Sequence, residues 1–308
     1  MKDDGERVKD GAIAMLKVQH VNRTVVRVVA AVAVLVAASP AFAAKPQRIV
    51  SLNLCTDQIL LDLVSRQRIA ALSFLAADPT MSSMVEEARG LKTIQGAAEE
   101  VLALDPDLVF VGQYSTPATV SLLERLGQRV VKVAMASSFE EIRSVVRHMA
   151  EAAGEGPRGD AMIADFDARI SAAKALPDSS PPTVMAMQVN SLASGPGSLL
   201  DEVFEVSGFH NMARDAAAKG LLGPGGRMPL ETLVLNPPDL LVLANSPDDF
   251  RTVLGDNLRH PAFGRVAASR KSVHLPMSLW LCGTPRIAGA VETLVETRAR
   301  MDRKQGAP

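Results

Sequence analysis

Glu99-Glu-Val-Leu-Ala-Leu-Asp-Pro-Asp-Leu-Val-Phe-Val111 lies without gaps on Glu231-Thr-Leu-Val-Leu-Asn-Pro-Pro-Asp-Leu-Leu-Val-Leu243. Each copy opens on a glutamate, continues with two apolar positions at helical spacing, and turns through Pro-Asp-Leu into a buried strand. Self-similarity at this separation reads as two like-built halves. A chain of 308 residues is at the upper limit for a single core, so two lobes are the natural expectation.

Around both copies, short apolar strands alternate with amphipathic helices. Arg48–Leu52, Ile69–Ser73, Leu108–Gly112 and Arg129–Ala134 read as strands of the first lobe. Thr183–Asn190, Leu240–Ala244 and Ser272–Leu275 read as strands of the second. Alternating β and α units imply an α/β fold with a mostly parallel sheet in each lobe and helices on its faces. Between the lobes the period changes. Ser138 and Glu141 form a capping-box pattern, and Phe139, Ile142, Val146, Met149 and Ala153 recur at helical spacing. After Gly154-Glu-Gly-Pro157 a second helix is predicted to run to about Leu176, followed by the stiff linker Leu176–Pro182. The organisation is therefore a first lobe at 45–153, a linking long helix and linker at 154–182, and a second lobe at 183–308.

The N-terminal 44 residues read as a secretory signal. Lys17, Arg23 and Arg27 precede the apolar run Val28–Ala38, and Ala41-Phe-Ala43 supplies the small-x-small cleavage pattern. Asp3, Asp4, Glu6 and Asp10 do not suit a positively charged leader, so Met15 is the expected start. No cysteine sits at the cleavage point to take a lipid, which points to a diffusing protein retained in a periplasm. A formal net charge of -1 offers no basic stripe for nucleic acid. Two cysteines, Cys55 and Cys282, are compatible with one disulfide or with two separate buried thiols.

Binding, rather than catalysis, fits the remaining residues. No Gly-x-Gly-x-x-Gly follows the first strand, where Ser51–Asp57 stands instead, so a nucleotide-using α/β enzyme is disfavoured. Neither Cys55 nor His148 has an evident triad partner. Direct capture of zinc or manganese would need converging ligands, and His148, His210, His260 and His274 show no ligand spacing. Ligands of open α/β sheets bind beyond the carboxyl ends of the strands. That rule selects Asn53, Phe74 and Tyr114 in the first lobe, and Ser198, Asn245 and Trp280 in the second. Arg227, in Gly-Gly-Arg-Met, reads as a cation for an acidic group of the ligand or as a solvated loop arginine. The sole tyrosine and the sole tryptophan both fall in these loops, as aromatic walls for a large rigid ligand or as packing elements. Gly195-Pro-Gly-Ser198 reads either as an anion cradle or as an ordinary turn with an N-cap.

The segments Arg48-Ile-Val-Ser-Leu-Asn-Leu-Cys-Thr-Asp57, Leu104-Asp-Pro-Asp-Leu-Val-Phe-Val111, Gly208-Phe-His-Asn-Met-Ala213 and Glu231 through Leu240 resemble the iron-siderophore and vitamin B12 periplasmic-binding family. The resemblance extends from about Lys45 to Ala299. It implies two Rossmann-like lobes joined by one long α-helix, with cargo between them and no resident cofactor. It further implies a monomer that delivers a ferric siderophore or cobalamin to an ABC permease dimer in the inner membrane. Glu99 and Glu231 match the residues that dock into basic pockets of the two permease subunits. A glutamate in a first helical turn also complements the helix dipole, but the paired register favours docking. Few aromatic residues and no clustered arginine triplet weigh against a strongly anionic catecholate, leaving cobalamin and hydroxamates. Packing of the final helix onto the first lobe would bring Cys55 and Cys282 together.

Overall fold

Alternate residues along each central strand leave for opposite faces of a sheet, and because both faces are covered the central strands are buried almost throughout. The computed structural model describes residues 44–174, 179–188, 192–223, 226–244, 259–269 and 271–305. The proposed signal segment up to Ala43 and Asn245 lie outside the described residues. In the first lobe, β1 (Ile49–Ser51), β2 (Ile69–Ser73), β3 (Thr93–Ile94), β4 (Leu108–Gly112) and β5 (Val130–Val133) form one sheet in the order β3-β2-β1-β4-β5. In the second, β6 (Thr183–Met187), β7 (His210–Asn211), β8 (Leu240–Leu243) and β9 (Lys271–His274) take the order β7-β6-β8-β9. Every pairing in both sheets is parallel.

Ile49, Leu108 and Phe110 face one way from the first sheet, Val50, Val109 and Val111 the other. Val184, Ala186, Leu240 and Val242 of the second sheet join the same cluster as Ile49 and Phe110, while Met185, Met187 and Leu241 pack on the far side. One hydrophobic core therefore runs through both lobes, and each lobe adds a smaller core of its own.

The helices of the first lobe are α1 (Leu54–Leu63), α2 (Val85–Ala88), α3 (Ala98–Leu102), α4 (Pro117–Arg125) and α5 (Phe139–Ala153). The linking helix is α6 (Gly156–Ala173), and among the described residues the second part has α7 (Leu199–Val206), α8 (Met212–Ala218), α9 (Leu230–Leu235), α10 (Pro261–Ser269) and α11 (Ala288–Gln305). Helix α5 ends where Gly154 takes a left-handed conformation at φ 72°. Its N-cap departs from the expected box. Ser138 accepts from the Glu141 amide at 3.1 Å, but the Glu141 carboxylate binds the amide and hydroxyl of Ser137 at 2.7 Å. Those two donors hold the Glu141 carboxyl below the usual carboxylate range.

Helix α6 is the spine. Phe166 packs edge-on to Phe139 of α5 at 5.5 Å, Asp167 accepts from Arg143 Nε at 2.8 Å, and Arg169 makes a two-pronged bond to Glu292 of α11 at 2.8 and 3.0 Å. The prolines and apolar residues of the repeat place its aspartates equivalently in both lobes. Asp107 accepts from the amides of Gln47 and Arg48 at the entry to β1, and Asp239 accepts from the amide and hydroxyl of Thr183 at the entry to β6.

Cys55 and Cys282 are joined, with their Cα atoms 5.1 Å apart. The sequence allowed a bridge or two thiols. The bridge forms because the chain leaves β9 and crosses back to the first lobe before α11 begins. Gly283 then lies against Ala136, and Arg286 binds both carboxylate oxygens of Asp62 at 3.1 and 3.2 Å and Glu87 at 3.1 Å.

Candidate functional site

The strand order of each sheet reverses between two central neighbours, β1 and β4 in the first lobe, β6 and β8 in the second. Loops diverge at such a reversal and leave a crevice beyond the strand ends. In the first lobe the crevice is lined by Asn53 after β1, by Gln113 and Tyr114 after β4, by Met135 and Ala136 after β5, and by Cys55 and Gly283. No charged side chain is among its lining residues.

Local bonds set this geometry. Asn53 caps α1 by accepting from the Cys55 amide at 2.9 Å. Its amide group lies so close across the end of β4 that a Cβ at Gly112 would stand 2.4 Å from Asn53 Cγ, so any other residue there would push the Asn53 side chain aside. Ser115 closes the turn after β4, accepting from the Gly112 amide at 3.0 Å and donating to the Leu52 carbonyl at 3.2 Å. The turn projects Tyr114 outward, with 74% of its surface exposed.

Beneath the crevice, Asp57 is wholly buried. It accepts from the Ser73 amide at 3.2 Å and from the Ser73 hydroxyl, tying α1 to the end of β2. With no cation to offset desolvation, burial pushes its carboxyl up to about 7. The second lobe repeats the tie with different electrostatics. Asp201 in the first turn of α7 holds Asn211 of β7 at 2.8 Å, but Arg214 also donates to it at 2.7 Å. Although burial alone would raise it, bonds from Arg214, Asn211 and the Gly197 amide hold the Asp201 carboxyl below its ordinary value.

The structure brings Asn53 and Tyr114 into one wall. Phe74 stands at the end of β2, 46% exposed. Trp280 is placed differently from the expected aromatic wall: it is 8% exposed within the shared core, and its indole N–H donates to the Leu275 carbonyl at 3.3 Å. An N–H satisfied inside the protein lets the large ring serve as packing. Ser198 is an N-cap, accepting from the Asp201 amide at 3.3 Å and donating to the Gly195 carbonyl at 2.7 Å. The Gly197 amide is taken by Asp201 at 3.0 Å, so Gly195–Ser198 forms a turn with a cap. Arg227 is exposed on a segment bridged to Leu192 and Gly223. Met135 was missed, although the strand-end rule applied to Arg129–Ala134 would have named it.

Glu99 and Glu231 stand exposed in the first turns of α3 and α9, the equivalent helices of the two lobes. Among the described residues no group of three or more His, Cys, Asp or Glu could hold a metal ion. No helix of the described residues is long and apolar enough to cross a membrane.

The sequence profile of the periplasmic binding protein family matches residues 49–272. The chain belongs to that family. Its members are binding proteins, not enzymes, and this periplasmic binding protein shares its two-lobed α/β architecture with several solved structures. The heme-binding protein RhuT from Roseiflexus sp. RS-1 is similar at a TM-score of 0.66 and 22% identity, over 82% of this chain and 98% of that one. The heme-binding protein HutB of Vibrio cholerae gives 0.64 and 15%, over 83% and 98%. The vitamin B12-binding protein BtuF of Vibrio cholerae gives 0.58 and 16%, over 84% and 99%. At these identities the likeness is one of fold. No curated protein matches the chain.

Proposed function

We propose that this periplasmic binding protein is exported through its N-terminal signal and carries a metal tetrapyrrole, heme in the first instance, to an ABC permease dimer. The observation that carries the reading is Tyr114, a phenol 74% exposed at the fold's strand-order reversal, over a crevice without charged lining. A phenolate oxygen is a fit axial ligand for ferric iron, and the ring offers a rigid apolar face at low entropy cost. An uncharged wall suits the flat body of a tetrapyrrole, whose charges lie at its rim, better than a siderophore with anionic groups around the metal. Two of the similar proteins bind heme and one binds vitamin B12, which agrees in direction. Glu99 and Glu231, one on each lobe, are the proposed contacts to the permease, because charge complementarity sets register and orientation in such docking.

Absorbance titration with hemin, cyanocobalamin and a ferric hydroxamate tests the cargo. Hemin should bind one to one with a shifted Soret band, and Tyr114→Ala should weaken it by about tenfold or more, the loss of one good contact. Binding of cyanocobalamin or the hydroxamate alone, or hemin affinity unchanged in Tyr114→Ala, would refute the heme reading.

A further inference from the structure

One wall of the crevice is built by the first lobe but held by the second. The loop Ala134–Ser138, which brings Met135 and Ala136 to the same crevice as Tyr114, connects β5 to α5. Two elements from beyond the linking helix grip it. Glu202 of α7 accepts from the Phe139 amide at 2.7 Å, where the loop enters α5. Gly283 touches Ala136 so closely that a Cβ there would stand 2.6 Å from both the Ala136 carbonyl oxygen and its Cβ. Gly283 follows Cys282, which is 1% exposed and bonded to half-buried Cys55 in the crevice wall itself. Arg286, three residues on, is fixed to Asp62 and Glu87 of the first lobe.

We propose that the segment Leu275–Ile287, clamped by the Cys55–Cys282 bridge, is a positioning strap that sets the β5–α5 wall of the ligand site. The inference rests on the crevice at Tyr114 being that site. The bridge is not simply a staple between distant chain ends: it ends in the crevice, and the glycine beside it replaces solvent against the loop that faces the cargo. Opening the bridge frees the strap, Gly283 leaves Ala136, and the wall loses its backing without loss of the sheet or of Tyr114. Cargo then escapes faster, since changes within one interface act mostly on dissociation. Gly283→Ala does the same from the other side, because its methyl group cannot share space with the Ala136 carbonyl.

Two variants separate this from a purely structural role: Cys55→Ser/Cys282→Ser, and Gly283→Ala, which keeps the bridge. Hydrogen exchange of the amides at 134–139 is read without ligand, and hemin release is followed by stopped flow. Both variants should exchange faster at 134–139 while the amides of β1 and β4 stay protected, and both should release hemin about tenfold faster. Protection of the loop and release at the wild-type rate in both would overturn the strap. Were the wild-type protein to bind no hemin, the heme reading would fall, and exchange at 134–139 would still decide the strap.

Discussion

At the scale of single residues, the two lobes solve one problem with opposite electrostatics. Asp57 and Asp201 each tie the first helix of a lobe to a neighbouring strand, β2 in the first and β7 in the second, but only Asp201 has a guanidinium beside it. The folded-state carboxyl of Asp57 lies at about 7, above its ordinary value of 3.8, so the folded protein holds that proton where the unfolded chain has released it. Stability linked to Asp57 is therefore full below the unfolded value and declines as pH rises between about 4 and 7. Asp57→Asn keeps an acceptor for the Ser73 amide and a donor for its hydroxyl, and should remove that slope. Urea unfolding from pH 4 to 8 should show the variant gaining on wild type as pH rises. The gain has an upper bound on the order of 4 kcal/mol from the linked shift; parallel curves would disprove the assignment. Of the proposed ligand residues, Tyr114 and Asn53 could be placed at the crevice from the sequence because strand-end logic needs only the strand boundaries. Trp280 could not, because rarity and loop position say nothing about whether an indole N–H finds a carbonyl inside.

At the scale of elements, the repeat was the most legible part of the chain, and the structure gives its physical reason. Pro-Asp-Leu recurs because the aspartate closes the N-terminal end of the neighbouring central strand, β1 by Asp107 and β6 by Asp239. Asp107→Ala and Asp239→Ala should each cost about 1 kcal/mol, the usual net worth of such partly exposed bonds. The costs should add within about 0.5 kcal/mol, because the sites share no partner. Urea titration of the two single variants and the double variant checks this, and strong coupling would speak against independent closures. The longer strands match the apolar runs to within a residue, except β6, expected over Thr183–Asn190 but ending at Met187. The edge strands Thr93–Ile94 and His210–Asn211 were not, because two residues carry no period and pairing alone defines them. Likewise the capping pattern at Ser138 located the start of α5 but not that Glu141 would turn to Ser137, a choice made by loop geometry.

At the scale of the whole molecule, the lobes share a core, a spine helix, a salt-bridge cluster and a disulfide, so docking must use a surface that is nearly preformed. The bridge spans a sequence separation of 227, and closing a loop of that length constrains the unfolded chain by about 5 kcal/mol in the chain-entropy account. Reduced protein should therefore unfold at markedly lower urea than oxidised protein, and coincident transitions would contradict that. A rigid pair of lobes fixes the separation of Glu99 and Glu231, each exposed at the start of its equivalent helix. On the proposed docking, a two-fold related pair of basic pockets reads both carboxylates at once, and each contact raises the effective concentration of the other. Losing one should weaken capture by the permease, and losing both should weaken it far more than either alone. Because neither carboxylate lines the crevice, cargo affinity should be untouched in all three variants. Uptake assays with Glu99→Ala, Glu231→Ala and the double variant, beside hemin titration of each purified protein, separate the two roles. Full uptake by the double variant would show that the lobes meet the membrane partner through some other surface.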